Sequence, residues 1–173
     1  MKSFTMTTVG LEDYFNGYRL SDGSVVNVRI MDTGGQERFN AINEKFYKDA
    51  DCCLLVYDIT SVNSFERIKD YYIKKIKESC KSIIKVLLLG NKTDLKEKRK
   101  ISLKEGADLA QKNGFYFMES SCLDNYNVSD AFTTLIEMTN NELIKTRTDI
   151  KRNFRIKNEK NDNNKEKVKK RKC

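Results

Sequence analysis

Three short apolar segments of the chain are each followed directly by polar residues of types that could do chemistry. The first polar segment reads Asp32-Thr33-Gly34-Gly35-Gln36. A carboxylate at a strand end, here Asp32, can hold Mg²⁺ through a water, and a glutamine such as Gln36 can orient an attacking water. The glycine before that glutamine lets a backbone N–H approach a phosphate closely. The alternative for this segment alone is a glycine-rich loop with a solvated Asp.

The second polar segment, Asn91-Lys92-Thr93-Asp94, follows the apolar stretch 86–90. A carboxylate at Asp94 can accept two N–H bonds from the edge of guanine, an arrangement that adenine cannot offer. The stem of Lys92 can cover the face of the base, and Asn91 can tether neighbouring loops. The alternative is a polar loop in an Asn- and Lys-rich chain, since four-residue matches arise by chance.

The third polar segment, Ser120-Ser121-Cys122, follows Phe115–Met118, and a backbone N–H here would reach the oxygen of a base. Upstream, the hydroxyl of Thr8 is a competent Mg²⁺ ligand, and its amide can meet a terminal phosphate. Each of these signals is weak alone. Their order and spacing strengthen them, since the steps from Thr8 to Asp32, Asn91 and Ser121 are 24, 59 and 30 residues.

The elements that must position these residues can be predicted from hydrophobic periodicity. A β-hairpin is expected over Tyr14–Leu20 and Val25–Met31, joined by the turn sequence Ser21-Asp22-Gly23-Ser24. Strands buried on both faces and amphipathic helices then alternate, which indicates a largely parallel sheet with helices on both faces. In such sheets, ligands bind at the carboxyl ends of the strands. The predicted strands are Cys52–Tyr57, Val86–Leu89 and Phe115–Met118, and the predicted helices are Ser64–Cys80, Ser102–Asn113 and a long one from Val128.

Charge and composition exclude several classes of protein. The net charge of +8 lies wholly in residues 151–173, which hold 11 basic and 3 acidic residues. We therefore expect one domain over 1–150 and a basic, disordered tail over 151–173, with no nucleic-acid-binding face on the domain. The chain contains no His, so Ser-His-Asp triads and His metal sites are excluded. An odd count of five Cys and the lack of a signal peptide favour reduced thiols and a cytoplasmic location.

Taken together, these motifs resemble those of the Ras-superfamily small GTPases, and within them the Rab family. The segment Leu55–Thr60 matches a Rab element after the fourth strand, Phe46–Ala50 is similar to the Rab Tyr-Tyr-Arg-Gly-Ala element, and Val9–Glu12 resembles the Rab switch I sequence. The resemblance covers about residues 5–146. It implies an α/β, three-layer P-loop-NTPase-like fold that binds GTP or GDP with Mg²⁺.

The resemblance also assigns roles to single residues. Gln36 would be the catalytic residue that positions water, and Thr8 and Asp32 would hold the metal. Thr8 and Gly35 would contact phosphate. The residues implied to contact the guanine base are Asn91, Lys92, Asp94, Ser121 and Cys122. Effector, exchange-factor and GTPase-activating proteins would dock on the switch regions, residues 8–15 and 34–47.

The largest departure from the family pattern concerns the start of the domain. The family opens with a first strand, a G-x-x-x-x-G-K-[ST] phosphate loop and a first helix, and no such loop sequence occurs in these 173 residues. The first strand of the family normally lies between the strands represented here by Val25–Met31 and Cys52–Tyr57. We expect that without it two interior strand edges are left unpaired. Smaller departures are Gly34 for the usual Ala, Met31 for Trp, and Cys122-Leu123 for Ala-Lys.

Two functional readings follow, together with two explanations of the missing loop. Either an upstream segment belongs to the protein, which we favour, or the product is a degenerate GTPase. The first reading is a guanine-nucleotide switch in vesicle traffic, and the alternative is a nucleotide-free pseudo-GTPase that acts as an interaction module. The run Lys169–Lys172 before Cys173 predicts a tether to an anionic membrane on the cytosolic face of endomembranes, with a lipid group on Cys173 as the second anchor. The alternative is a solvated basic tail or a run that resembles a nuclear-localisation signal.

Overall fold

The computed structural model describes residues 11–33, 47–80 and 84–169, with side chains over 14–33, 47–80 and 84–149. The chain divides into two compact units, Met1–Glu137 and Met138–Cys173. No helix within the described ranges is long and apolar enough to cross a bilayer.

The predicted hairpin is confirmed, with strands β1 (Leu11–Arg19) and β2 (Val25–Thr33) paired antiparallel. Its turn is fixed by the residues that predicted it. The carboxylate of Asp22 accepts hydrogen bonds from the backbone N–H and the hydroxyl of Ser24 at 2.9 and 2.6 Å. Gly23 adopts φ +83°, a left-handed conformation that costs a glycine little. Leu20 beside the turn is buried, and the Ser21 N–H donates to Glu137 Oε1 at 2.8 Å, which anchors the turn.

The second sheet is parallel, with the order β3 (Cys52–Asp58), β4 (Lys85–Asn91) and β5 (Tyr116–Glu119). Its register pairs Asp58 with Asn91 and Gly90 with Glu119, so the three strands end at one edge. Among the described residues, the hairpin and this sheet are separate sheets.

Helices pack on both faces of the parallel sheet, which confirms the predicted α/β layering. One core cluster joins alternate strand residues such as Leu55 and Leu88 to the helices α1 (Val62–Arg67), α2 (Ile73–Ser79) and α3 (Leu103–Asn113). The opposite cluster joins Leu87 and Leu89 to Ala131 and Leu135 of the helix α4 (Val128–Lys169). Burial of each large apolar side chain contributes about 1.5–3 kcal/mol before entropy costs.

Two residues of β3, Cys53 and Val56, differ in how completely the helices cover them. Cys53 packs against the first cluster, and burial raises the pKa of its thiol to about 12, so it serves as a small apolar group. Val56, in contrast, is 48% exposed. The prediction that this strand is buried on both faces is therefore wrong at Val56, because β3 is the outermost strand of the described sheet and is covered less completely.

The helix predicted over Ser64–Cys80 contains a π-helical turn, Ile68–Tyr72, between α1 and α2. The buried residues of this region are Phe65, Ile68, Ile73 and Ile76. Their steps are three, five and three residues, and a regular α-helix cannot keep a five-residue step on one face. The π turn absorbs the extra residue and keeps the apolar stripe in phase. Tyr72, predicted for the stripe, is only partly buried against the core and lies 5.1 Å from the ring of Tyr71.

The sequence also makes predictions about the start of α3 and about the segment in which α4 ends. Ser102 and Glu105 form the expected capping box, and Gly114 ends α3 in a left-handed conformation with φ +69°. α4 runs from Val128 to Lys169 and so extends beyond residue 150, where the predicted basic tail begins. The sequence after Gly114 contains no Gly or Pro, and its Lys, Arg and Glu residues are good helix formers, so nothing there breaks the helix.

A close contact of α3 with the sheet gives the first prediction. A Cβ at Gly106 would overlap Tyr57 Oη and lie 2.6 Å from Phe117 Cζ. We expect Gly106→Ala to lower the free energy of unfolding by about 1–3 kcal/mol, although alanine normally stabilises a helix interior by about 1 kcal/mol relative to glycine. Urea denaturation measures the change, with Lys112→Ala on the exposed side of α3 as the control. A higher unfolding midpoint for Gly106→Ala would contradict the contact.

Candidate functional site: the carboxyl edge of the parallel sheet

The polar segments that follow β4 and β5 are joined to each other by hydrogen bonds at the carboxyl edge of the sheet. Asn91 Oδ1 accepts from the hydroxyl of Ser120 and from the backbone N–H of Cys122, both at 3.3 Å. Thr93 donates to the carbonyl of Ser120 through its backbone N–H and its hydroxyl, both at 3.1 Å. The sequence therefore predicted correctly that Asn91 tethers neighbouring loops, while the second tether, Thr93, was missed.

Asp94 belongs to the same network. Its Oδ1 accepts a hydrogen bond of 2.6 Å from the hydroxyl of Ser121, which in turn accepts from the backbone N–H of Asp124 at 3.1 Å. Ser121 is almost fully buried and also pairs with Tyr126 through two backbone hydrogen bonds. A carboxylate offers about four acceptor sites, so one bond from Ser121 leaves Asp94 capacity for the paired N–H donors of a guanine edge.

The loop after β5 is held by an ion pair and by unusual backbone conformations. Arg99 donates to both carboxylate oxygens of Glu119 at 2.6 and 2.9 Å, and this hydrogen-bonded pair raises the pKa of Arg99. Asn127 adopts φ +56°, and its side-chain amide donates to the carbonyl of Glu119 at 2.8 Å. Asn tolerates positive φ better than most residues, which explains its use in this loop.

A residue that sequence reasoning did not assign to the site, Asp58, holds Lys92. Lys92 has φ +71°, and its Nζ lies 2.7 Å from Asp58 Oδ2. The same carboxylate accepts from the backbone N–H and hydroxyl of Thr60 at 2.8 and 2.7 Å. The sequence signal that could have found Asp58 is its place directly after the apolar run of β3, a strand end like that of Asn91. The ion pair fixes the ammonium group while the Lys92 side chain stays 52% exposed.

The structure brings together the predicted guanine-contacting residues, and of the rest of the predicted site it describes only Asp32. The backbone N–H of Cys122, expected to reach a base oxygen, donates to Asn91. Asp32 lies near the end of β2 in the hairpin, opposite Glu12 in the register. Its carboxylate is a donor type that suits Mg²⁺, and no group of three or more His, Cys, Asp or Glu that could hold a metal occurs in the described part of the chain. The residues Thr8, Gly35, Gln36 and Cys173, and most of the switch regions, lie outside the described residues.

The Asp58–Lys92 contact predicts a pH dependence of stability. Burial alone would raise the pKa of Asp58, but the Lys92 ammonium and the Thr60 donors outweigh it and hold the pKa below its usual value. Stabilisation by a group with a depressed folded pKa is complete above its unfolded pKa of about 3.9 and is lost as the pH falls through the folded pKa. We expect Asp58→Asn to cost about 1 kcal/mol at pH 7 and progressively less below pH ~4.

Urea denaturation of the wild type and Asp58→Asn between pH 7 and pH ~2.5 measures that difference. Asp70→Asn, which changes an exposed carboxylate of the π turn, is the matched control. A difference between wild type and Asp58→Asn that stays constant across this pH range would show that the ion pair does not stabilise the fold.

Comparison with known proteins shows the family to which the sequence is similar. The family model described as "Ras family" matches residues 2–141. The chain is 36% identical over 143 residues to the Ras-related protein Rab-11B of Dictyostelium discoideum, covering 83% of this chain and 64% of that protein. It is 41% identical over 121 residues to RABA5b of Arabidopsis thaliana, covering 69% and 55% of the two chains. It is 39% identical over 130 residues to Rab-8B of Bos taurus, covering 75% and 62%.

The chain thus spans less than two thirds of the length of each of these relatives. The match nevertheless includes all three strands of the parallel sheet and the polar segments at their ends. The parallel sheet flanked by helices and the joined loops after β4 and β5 are consistent with that family's fold. Since its model matches most of the sequence, the chain belongs to the Ras family and is a Rab-like small GTPase.

Proposed function

We propose that the chain carries the guanine-recognition and switch-bearing part of a guanine-nucleotide switch that acts in vesicle traffic. The observation that supports this most directly is the contact between the two loops, in which Asn91 bonds Ser120 and Cys122 while Ser121 bonds Asp94. These bonds form within the chain itself, so the acceptor face of Asp94 is fixed before any base arrives. Because these loops are already ordered, binding of a base does not have to include the entropy loss of ordering them.

The remaining roles of such a switch stay proposals for this chain. GTP or GDP with Mg²⁺ would be the cofactor, with Thr8 and Asp32 as metal-binding residues and Thr8 and Gly35 at the phosphates. Gln36 would orient the attacking water, and bound Mg²⁺·GTP would supply the phosphoryl group that is hydrolysed. Residues 8–15 and 34–47 would meet effector, exchange-factor and GTPase-activating proteins. The location would be cytoplasmic and peripheral on endomembranes, with Cys173 as a lipidation site.

The affinity of this chain for Mg²⁺·GTP should depend mainly on its contacts with the phosphates. The 173 residues contain no G-x-x-x-x-G-K-[ST] loop, which would supply an N–H nest, a Lys and a direct Mg²⁺ ligand. Charge-assisted hydrogen bonds contribute roughly 1.5–3 kcal/mol each, so losing four removes on the order of 6 kcal/mol. We expect the purified chain to bind Mg²⁺·GTP more weakly than micromolar, and isothermal titration measures this. Micromolar or tighter binding by a monodisperse protein would show that phosphate is held by other residues.

A chimera separates the base site from the missing phosphate site. The first strand, phosphate loop and first helix of Rab-8B of Bos taurus, placed before Thr7, should restore binding of GDP. In that chimera, Asp94→Asn should lower affinity for guanine nucleotides by about 10²-fold or more and raise affinity for xanthosine nucleotides. Asp108→Asn, a change to an exposed carboxylate on α3, is the control and should leave base preference unchanged.

The outcomes of the chimera experiment separate the two readings of the protein. Unchanged base preference in Asp94→Asn would refute the guanine site. Failure of the chimera to bind GDP, while it stays folded, would favour the nucleotide-free interaction module. One structural feature favours a docking role in either case, since the hairpin presents Phe15 with 76% of its side chain exposed.

A further inference from the structure

The loop after β4 contains a backbone conformation that is unusual for its residue type. Within the described ranges, three non-glycine residues have positive φ, and two of them are Asn125 and Asn127. Asn is one of the residue types that tolerate this left-handed region, whereas Lys92, the third, is not. An unfavourable φ persists at a site where the surrounding structure holds it in place. The backbone at Lys92 thus indicates that its side chain has a role at this position.

Lys92 is held both at its backbone and at the tip of its side chain. Its carbonyl accepts a hydrogen bond of 3.0 Å from the backbone N–H of Leu95, and the preceding residue, Asn91, pairs with Asp58 in the sheet register. At the other end of the side chain, Nζ lies 2.7 Å from Asp58 Oδ2. The four-carbon stem therefore runs from the end of β4 to the end of β3, while the side chain remains 52% exposed.

Asp58 is itself fixed by the start of α1. Its two carboxylate oxygens have separate partners, since Oδ1 accepts from the N–H and hydroxyl of Thr60 while Oδ2 faces Lys92. Its backbone N–H donates to Ser64 Oγ at 3.1 Å, and its carbonyl accepts from the same hydroxyl at 3.2 Å. Ser64 belongs to the first turn of α1, which Ser61 caps. The carboxylate is therefore a rigid anchor to which the flexible Lys92 side chain is tied.

A lysine stem that is fixed at both ends and half exposed offers an apolar surface to a flat ligand. Asp94, two residues further along the chain, offers acceptors to the edge of a base at the same end of the sheet. Ordering a long side chain during binding lowers affinity by up to about tenfold. Because Asp58 already holds the Lys92 side chain, a base that packs against this stem does not have to order it.

We propose that Asp58 is a positioning residue of the base site, which holds the stem of Lys92 in place against the face of a purine base. This inference rests on the proposed guanine-nucleotide function and deepens it, since it adds a residue at the end of β3 that acts through Lys92. The edge of the base is the task of Asp94. Asp58 therefore affects how tightly a nucleotide binds and leaves the choice of base unchanged.

A double-mutant cycle in the chimera described above tests this role. Asp58→Asn should weaken binding of GDP by about fivefold. Lys92→Met removes the ammonium group and keeps an apolar stem, so it breaks the same ion pair from its exposed end and should weaken binding by a similar factor. In the Lys92→Met background, Asp58→Asn should change the affinity for GDP by less than about twofold. Asp70→Asn, a change to an exposed carboxylate of the π turn, is the matched control and should change it equally little.

The cycle separates positioning from a merely structural role, in which Asp58→Asn would weaken binding equally with Lys92 and with Met at that position. Equal losses in the two backgrounds, no loss in either, or a changed preference between GDP and xanthosine diphosphate in Asp58→Asn would each overturn the inference. If Asp94→Asn changes base preference while Asp58→Asn has no effect, only the role of Asp58 is refuted. A folded chimera that does not bind GDP would refute the nucleotide proposal and this inference together.

Discussion

Parallel pairing of β4 with β3 on one side and β5 on the other is the constraint on which the rest of the described domain depends. Parallel strands in register end at one edge, and here that edge carries Asp58, Asn91 and Ser120. Residues that are about 30 positions apart in the chain therefore meet within hydrogen-bond distance. The bonds of Asn91 to the loop after β5 and of Lys92 to Asp58 are both consequences of this pairing.

The same pairing determines which side chains each strand must bury. Alternate residues of β3 and β4 face two different clusters, so each strand must supply apolar side chains in both directions. Tyr57 occupies the space between the sheet and α3, and Gly106 is small because that ring already fills the site. Burial raises the pKa of Tyr57, so its hydroxyl stays neutral at any ordinary pH. The surfaces of α3 and the sheet therefore pack closely, with no space for an added Cβ at Gly106.

Charged residues are distributed differently in the two parts of the chain. In the domain, charged groups near the site are paired with each other, as in Arg99 with Glu119 and Lys92 with Asp58. The excess positive charge lies beyond residue 150, where α4 continues. Pairing at the sheet edge fixes side chains that would otherwise be mobile, while the positive charge beyond residue 150 is not balanced by nearby acidic residues in the sequence. The two parts of the chain therefore have electrostatics of different kinds.

The sequence by itself determined the elements and the residues at their ends. The turn Ser21–Ser24, the capping box of Ser102 and Glu105, and the apolar runs of β3 and β4 are local patterns, and local patterns are set by neighbours along the chain. The strand-end rule then selected Asn91, Lys92, Asp94 and the loop after β5 before any contact was known. The hairpin, the parallel sheet and helices on both faces followed from the same information.

Only the tertiary structure decided which of these groups bond one another. The role of Asp58 depends on its register with Asn91. A register between strands 33 residues apart cannot be deduced from the sequence of either strand alone. The π turn at Ile68–Tyr72 arises because packing against the sheet selects Ile73 instead of Tyr72 for the buried stripe. The exposure of Val56 depends on what covers β3, and helix continuation past residue 150 depends on the sum of weak propensities. These outcomes are set by non-local contacts or by small energy differences, which a local pattern does not encode.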